Sequence, residues 1–341
     1  MLRRHFLSRF PALTAFSLGG FGCNPSSGKE LRVSSFPRIS MSGLYLAHEL
    51  GYFRELGLEV EIEEILNGAH SLVLLAGRNL DVRFAALSPG LIHSVARGSD
   101  LRIVAGREIA STTCGTVGTV YGNAKVFPHG LQDLTQLEGK RVSIGFKASL
   151  TEFYLDTLLE RVGMSSEDVD LIVLRSAEAA AALVAGKIDA LVSSHFEKSL
   201  ETQSDRIIKG IGLPDLLPDF QYSFVFYGPS ISGSLKREEG VRFLAGYLRG
   251  VLAFLDGQTP QYLYDLARAG RMDPDKVISE CRETLVADGN IDSKSVEIFV
   301  DWTVSKGYCE QPVSAERLID TQYVVDAQHL LPDASQTGLW L

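Results

Sequence analysis

From residue 31 onward the apolar positions switch between two periods. Leu31–Phe36 alternates as a strand. Ser42–Leu56 carries Leu44, Ala47, Leu50 and Phe53 at three-residue steps, which predicts one helix ended by Gly57. Leu58–Ile65 mixes β-branched residues with acids as a second strand, and Ala69–Ala76 reads as a helix stopped by Gly77. Val82–Ala86, Pro89–Arg97 and Leu101–Ala105 continue the series as strand, helix and strand. This alternation with short loops predicts parallel strands covered by helices on both faces, joined by right-handed crossovers.

The rhythm starts again after a Gly/Thr-rich strand, 114–122. Arg141–Phe146, Leu171–Leu174 and Ala190–Ser193 read as strands, with helices over Thr151–Arg161 and Ala177–Ala185 between them. After a last strand, Ser223–Tyr227, the pattern turns helical over 236–255, 259–269, 274–286, 292–305 and 314–329. The pattern suggests two α/β lobes, residues 31–113 with the returning tail 229–341 and residues 114–228, the alternative being a tail that forms an all-helical third domain. The chain is expected to cross between them near 110–122 and again near 215–228.

Composition narrows the function. The 341 residues are 45% hydrophobic and 22% charged, with a net charge of −9. An acidic chain is a poor partner for nucleic acid or an anionic membrane surface. The N-terminal segment stands apart from the fold. Arg3-Arg4 precede an apolar stretch from Phe10 to Phe21 interrupted by Pro11, too short to span a bilayer and suited to an export signal of the twin-arginine class. Removing residues 1–22 takes three arginines and no acids, lowering the net charge from −9 to −12. Cys23 follows Gly20 and Gly22, so it is either a lipidation site in a degenerate lipobox or simply the first residue after cleavage, with 23–30 as a tether. The predicted localisation is therefore exported: periplasmic, or tethered through Cys23. Cys281 and Cys309 either form a disulfide or stay buried thiols. No Cys/His cluster has metal spacing, so neither a metal nor a cofactor is expected.

A family resemblance rests on motifs in order over residues 43–190. These are Gly43-Leu44-Tyr45-Leu46-Ala47, Gly51-Tyr52-Phe53 with Gly57-Leu58, Asn67-Gly68-Ala69, Phe84-Ala85-Ala86-Leu87-Ser88-Pro89, Gly139-Lys140-Arg141-Val142, Phe146–Glu152 and Ala182–Ala190. The chain resembles the solute-binding proteins of ABC importers for sulfonates, nitrate, taurine and thiamine-pyrimidine precursors. The resemblance implies a type II periplasmic-binding fold, with two α/β lobes joined by two crossover strands and closing on a small-molecule solute. It also implies ABC permease subunits as partners, a monomer, and no catalytic residues. Fungal pyrimidine-phosphate synthases resemble the same fold, but they are cytosolic and cysteine-rich between the lobes. This chain has an export signal and the single Cys114 in that region.

In such sheets ligands sit beyond the carboxyl ends of the strands. The turns there supply the candidate residues: Arg38, Ser40 and Met41 after the first strand, Asn67 and His70, Ser88, then Ser149 and Thr151 in the second lobe. Helix starts offer unpaired N–H groups and a positive dipole end to an anion. Asn67, Ser88 and Ser149 are equally suited to plain helix capping, and a cap can still face a ligand. Arg38 supplies a guanidinium fork for a sulfonate or carboxylate. Relatives commonly carry Trp-Glu-Pro where this chain has Ser194, His195 and Phe196. That change favours an oxyanion over a pyrimidine, because serine and histidine both donate hydrogen bonds.

Overall fold

The computed structural model describes residues 30–36, 38–111, 118–193, 205–233, 236–269 and 282–331. The twin-arginine segment, Cys23, Cys114 and Cys281 lie outside these residues, as does the helix expected over 274–286 up to residue 281. Cys309 is buried and free, and its thiol donates to the Gln311 carbonyl at 3.1 Å.

Two five-stranded sheets share one layout. The first contains Leu31–Ser35 (β1), Val60–Glu64 (β2), Val82–Ala86 (β3), Arg102–Ile109 (β4) and Gln221–Tyr227 (β10), in the order β2-β1-β3-β10-β4. The second contains Thr119–Asn123 (β5), Arg141–Ile144 (β6), Asp170–Val173 (β7), Ala190–Val192 (β8) and Ile207–Gly212 (β9), in the order β7-β6-β8-β5-β9. In each sheet four strands point the same way, three of them paired side by side in parallel as the βα rhythm requires. The fourth position is filled antiparallel by a crossing strand: β10 between β3 and β4, and β5 between β8 and β9. The sheets are therefore mixed, because these two strands enter from the opposite lobe instead of completing a βαβ unit.

The ladder also moves one predicted boundary. Residues 221–228 read as part of the second lobe, but β10 pairs with β3 and β4, so the return crossing falls between Gly212 and Gln221. Strand β9 was not legible as a strand. Its run Ile207-Ile208-Lys209-Gly210-Ile211-Gly212 contains two glycines, which ordinarily weaken a strand. Here a Cβ on Gly210 would lie 2.6 Å from the Leu131 carbonyl oxygen, so close backbone approach requires glycine.

Helices cover the first sheet as expected, with two breaks. Ser42–Leu56 divides into Ser42–Glu49 (α1) and Tyr52–Glu55 (α2), because Gly51 adopts φ 79° and closes the first helix. The next helices are Gly68–Ala76 (α3), Pro89–Ala96 (α4), Leu150–Glu160 (α5), Ser176–Val184 (α6) and the short Leu213–Leu216 (α7). The tail opens with Arg237–Leu255 (α8), whose Phe243, Leu244, Tyr247, Leu248, Val251 and Phe254 recur at helical spacing and are buried. Helix α8 crosses α1 at Gly43 and Gly250. A Cβ on Gly250 would collide with the Gly43 carbonyl oxygen and lie 2.8 Å from Ala47 N. Gln261–Ala269 (α9) and Ser293–Ser305 (α10) follow. The predicted helix 314–329 splits into Ala315–Leu318 (α11) and Gln322–Gln328 (α12), because Ile319 bridges to Ile103 at β4.

Beyond covering the first lobe, the tail ties the lobes together. Phe153 of α5 packs against Phe299 and Trp302 of α10 with ring centroids 5.3 and 5.5 Å away, and against Phe220 in the crossing at 5.3 Å. One apolar core thus runs through α4, α5, α10 and the crossing. Buried carboxylates on α5 extend the junction. Asp156 accepts from Trp302 Nε1 at 2.7 Å and lies 3.1 Å from Lys306 Nζ, while Glu152 accepts from the Tyr308 hydroxyl at 2.8 Å.

Candidate functional site

Strand register fixes which residues share the carboxyl edge of the first sheet. Ala86 at the end of β3 is level with Ser223, and Ser223 is level with Glu108 of β4. The β1–α1 loop folds over this edge. Tyr262 of α9 donates to the Arg38 carbonyl at 2.5 Å, and Ser42 donates to the Ile39 carbonyl at 2.5 Å, holding the turn.

Beneath that loop lies Arg107, which is 3% exposed. Its Nε donates to Ser223 Oγ at 2.8 Å, and its Nη1 donates to Ser40 Oγ at 2.9 Å and approaches Met41 Sδ at 3.2 Å. Glu108 faces its Nη2 at 2.7 Å and also meets the Tyr222 phenol. Burial, reinforced by the Glu108 charge, pushes that phenol far above its ordinary range. The Phe36 ring lies 5.5 Å from both the Arg38 and the Arg107 guanidinium carbons. Arg107, its charge balanced by Glu108, thus lies beneath the loop where the sequence placed Arg38 alone. Ser40 and Met41, expected to line the cleft, are buried and form the socket of Arg107, with Met41 in the apolar core.

A second buried arginine occupies the other face of this sheet. Arg83 of β3 is 4% exposed. It donates to Ser71 Oγ at 2.9 Å and to the Gly68 carbonyl at 3.3 Å, both in the first turn of α3. Burial, and then repulsion from Arg107, pulls its pKa down to about 10.

Asn67 caps α3 by accepting from His70 N at 3.0 Å, and Ser88 caps α4 by accepting from Leu91 N at 3.4 Å. Asn67 and His70 are exposed on the rim. Ser149 stands at the start of α5 without capping it, because its hydroxyl donates to the Phe146 carbonyl at 2.5 Å and pairs with Thr151 Oγ1 at 2.9 Å. Thr151 is buried. Glu152 of the first turn reaches back instead to the loop, its carboxylate accepting from Ala148 N at 2.6 Å and fixing Ala148 at φ 50°. Phe146 in the same loop is 55% exposed, with Arg175 over its ring at 5.7 Å. Ser194 and His195 lie outside the described residues.

Sequence reasoning passed over Arg83, Arg107 and Glu152. Arg83 had a readable signal, a charge inside the otherwise apolar segment Val82–Ala86, where ionised side chains are seldom buried without a reason; Arg107 sits beside Glu108 at the end of the apolar run Ile103–Gly106. A cavity of about 390 Å³ lies elsewhere, beside β9, and is lined by Ser111, Thr119, Gln132, Lys209 and Asp215 among others. None of the predicted site residues lines it. Among the described residues no group of three or more His, Cys, Asp or Glu is arranged to hold a metal, and no helix is long and apolar enough to cross a membrane.

Comparison with known proteins adds three findings. A family model described as NMT1/THI5 like matches residues 38–208. A Haemophilus influenzae protein named for thiamine biosynthesis is 27% identical over 186 residues, which is 53% of this chain and 55% of that protein; the match thus spans about half the length of the relative. Among solved structures, the periplasmic aliphatic sulphonate binding protein SsuA from Escherichia coli aligns with TM-score 0.69 at 17% identity, over 87% of this chain and 99% of that one. The desulfurization enzyme DSZB aligns with TM-score 0.63 at 14% identity, over 88% and 99% of the two chains. At these identities the likeness is one of fold: the type II arrangement of two α/β lobes.

Proposed function

Because the chain belongs to the NMT1/THI5-like family, we propose that it is the extracytoplasmic solute-binding receptor of an ABC importer. In this reading a small organic anion, with a sulfonate or carboxylate head, is captured between the two closing lobes. The observation that carries it is the concentration of guanidinium groups at the carboxyl edge of the first sheet. Arg38 and Arg107 converge on Phe36, and Arg107 is held in place by Ser40, Ser223 and Glu108. From the other lobe the start of α5, where Ser149 and Thr151 are hydrogen-bonded to each other, offers the positive end of a helix dipole. A monomer delivering its solute to permease subunits, and export through Arg3-Arg4, complete the proposal.

A solute that selects the closed form stabilises it by RT ln(1 + [L]/Kd), about 2.7 kcal/mol at a hundredfold excess. A melting-temperature screen with alkanesulfonates, nitrate, aromatic carboxylates and thiamine pyrimidines tests the reading. Arg38→Ala and Ser149→Ala are expected to weaken the response, and Arg161→Ala at the exposed end of α5 is expected to leave it unchanged. A response to neutral pyrimidines alone would replace the anion with a thiamine-pyrimidine precursor, the second reading, which the Haemophilus relative favours. The recovered solute should have unaltered mass; conversion would instead assign an enzyme of the kind this fold also carries.

A further inference from the structure

We infer that Arg83 pairs with the acidic group of the solute, approached through the Asn67–Gly68 turn at the start of α3. The inference rests on the receptor reading above and adds the residue that neutralises the ligand.

A guanidinium taken out of water loses several kcal/mol of solvation unless a carboxylate and a full set of hydrogen bonds replace it. Arg83 is buried, and no carboxylate lies within ion-pair distance of it among the described residues. Two of its nitrogens are used, Nε by Ser71 Oγ and Nη2 by the Gly68 carbonyl, while Nη1 is buried with no hydrogen-bond partner among the described residues. The Phe226 ring lies 5.7 Å from its guanidinium carbon. The charges that do act on it have the same sign. Arg107 repels it, and the first turn of α3 presents the positive end of a helix dipole. A buried cation with no carboxylate beside it and one donor unanswered is the complement of an anion.

The approach is thinly covered. Asn67, Gly68, Ala69 and His70 are exposed, and the turn has no side chain at Gly68, where a Cβ would lie 3.6 Å from Arg83 Nη2. Arg83 also ties β3 to α3 through Ser71 and Gly68, so a purely structural role has to be separated from ligand pairing. The two roles differ in sign. A buried unpaired charge replaced by a methionine of similar volume leaves stability unchanged or raises it, whereas loss of a structural tie lowers it.

The test uses the exported protein with methanesulfonate, benzoate and inorganic phosphate as probes, each against chloride at equal ionic strength. Calorimetric titration gives Kd, and thermal unfolding gives the stability of the unliganded protein. The expected result is that at least one probe binds wild type. Arg83→Met should then keep or raise the unliganded melting temperature while weakening that probe at least tenfold. Gly68→Val, which keeps the charge but covers the approach, should also weaken it, and it decides the matter should Arg83→Met fail to fold. Unchanged probe affinity in Gly68→Val together with a Kd within twofold of wild type in Arg83→Met overturns the inference, as does a lowered melting temperature in Arg83→Met with intact binding. Binding of a neutral aminopyrimidine with no response to any anion removes the role of Arg83 and leaves the receptor standing. Failure of every solute, charged or neutral, removes both.

Discussion

Asp156 makes a quantitative prediction about how the helical tail holds the second lobe. Its carboxylate is 5% exposed, accepts from Trp302 Nε1 at 2.7 Å and faces Lys306 Nζ at 3.1 Å. Asp156→Ala leaves a buried indole N–H without an acceptor, at about 1–3 kcal/mol. It also removes one partner of Lys306, whose side chain is a quarter exposed and still reaches Ser166 Oγ at 3.1 Å and Glu152 at 3.8 Å. Solvent screening limits that second loss to about 1 kcal/mol. The expected cost is therefore about 2–4 kcal/mol. Asp156→Asn keeps an oxygen for the indole and should cost only about 1 kcal/mol, since the charge pair alone is lost. Lys306→Met in both backgrounds should show a coupling of about 1 kcal/mol with Asp156. Urea unfolding followed by tryptophan emission suits the question, because Trp302 packs directly against α5. An Asp156→Ala cost below about 0.5 kcal/mol, or equal costs for the alanine and asparagine variants, would refute the assignment of the indole bond as the main contribution.

Gly250→Ala should destabilise by about 3 kcal/mol or abolish folding, because its Cβ meets backbone of α1 on a crossing with no flexible side chain to yield; denaturant titration measures it. Hydrogen bonding and charge from Arg141 hold the Asp189 carboxyl below its ordinary value. Stability from this pair is therefore complete above the unfolded carboxylate value near ~4 and is lost as pH falls through the lower folded value. Asp189→Asn should cost about 1 kcal/mol at neutral pH, after discounting for the half-exposed Arg141, and the deficit should shrink as the pH falls through the lowered folded value; urea midpoints across pH read both. Replacing Arg3 and Arg4 by lysine should trap precursor inside the cell, visible as unprocessed chain in fractionation, and normal export would exclude the twin-arginine route.

The order of strands and helices over residues 31–193 was legible because each element buries one face, and burial imprints its period on the chain. The cap residues Asn67 and Ser88 were legible for a local reason: an asparagine or serine at a helix start bonds its own first turn. Ser149 shows the limit of that rule, since its hydroxyl turns back to the Phe146 carbonyl and leaves the first turn of α5 without a side-chain cap. Tertiary structure alone decided that β10 belongs to the first sheet and that α10 reaches back to α5. Strand pairing and ring packing join residues far apart in sequence, and the period of an element does not name its partner. The same reason hid the arginines. Sequence exposes Arg83 only as a charge in an apolar strand and Arg107 only as the neighbour of Glu108. That one meets Glu108 and the other meets no carboxylate among the described residues follows from where β3, β4 and the first turn of α3 are brought together, and from the low dielectric that makes the difference matter.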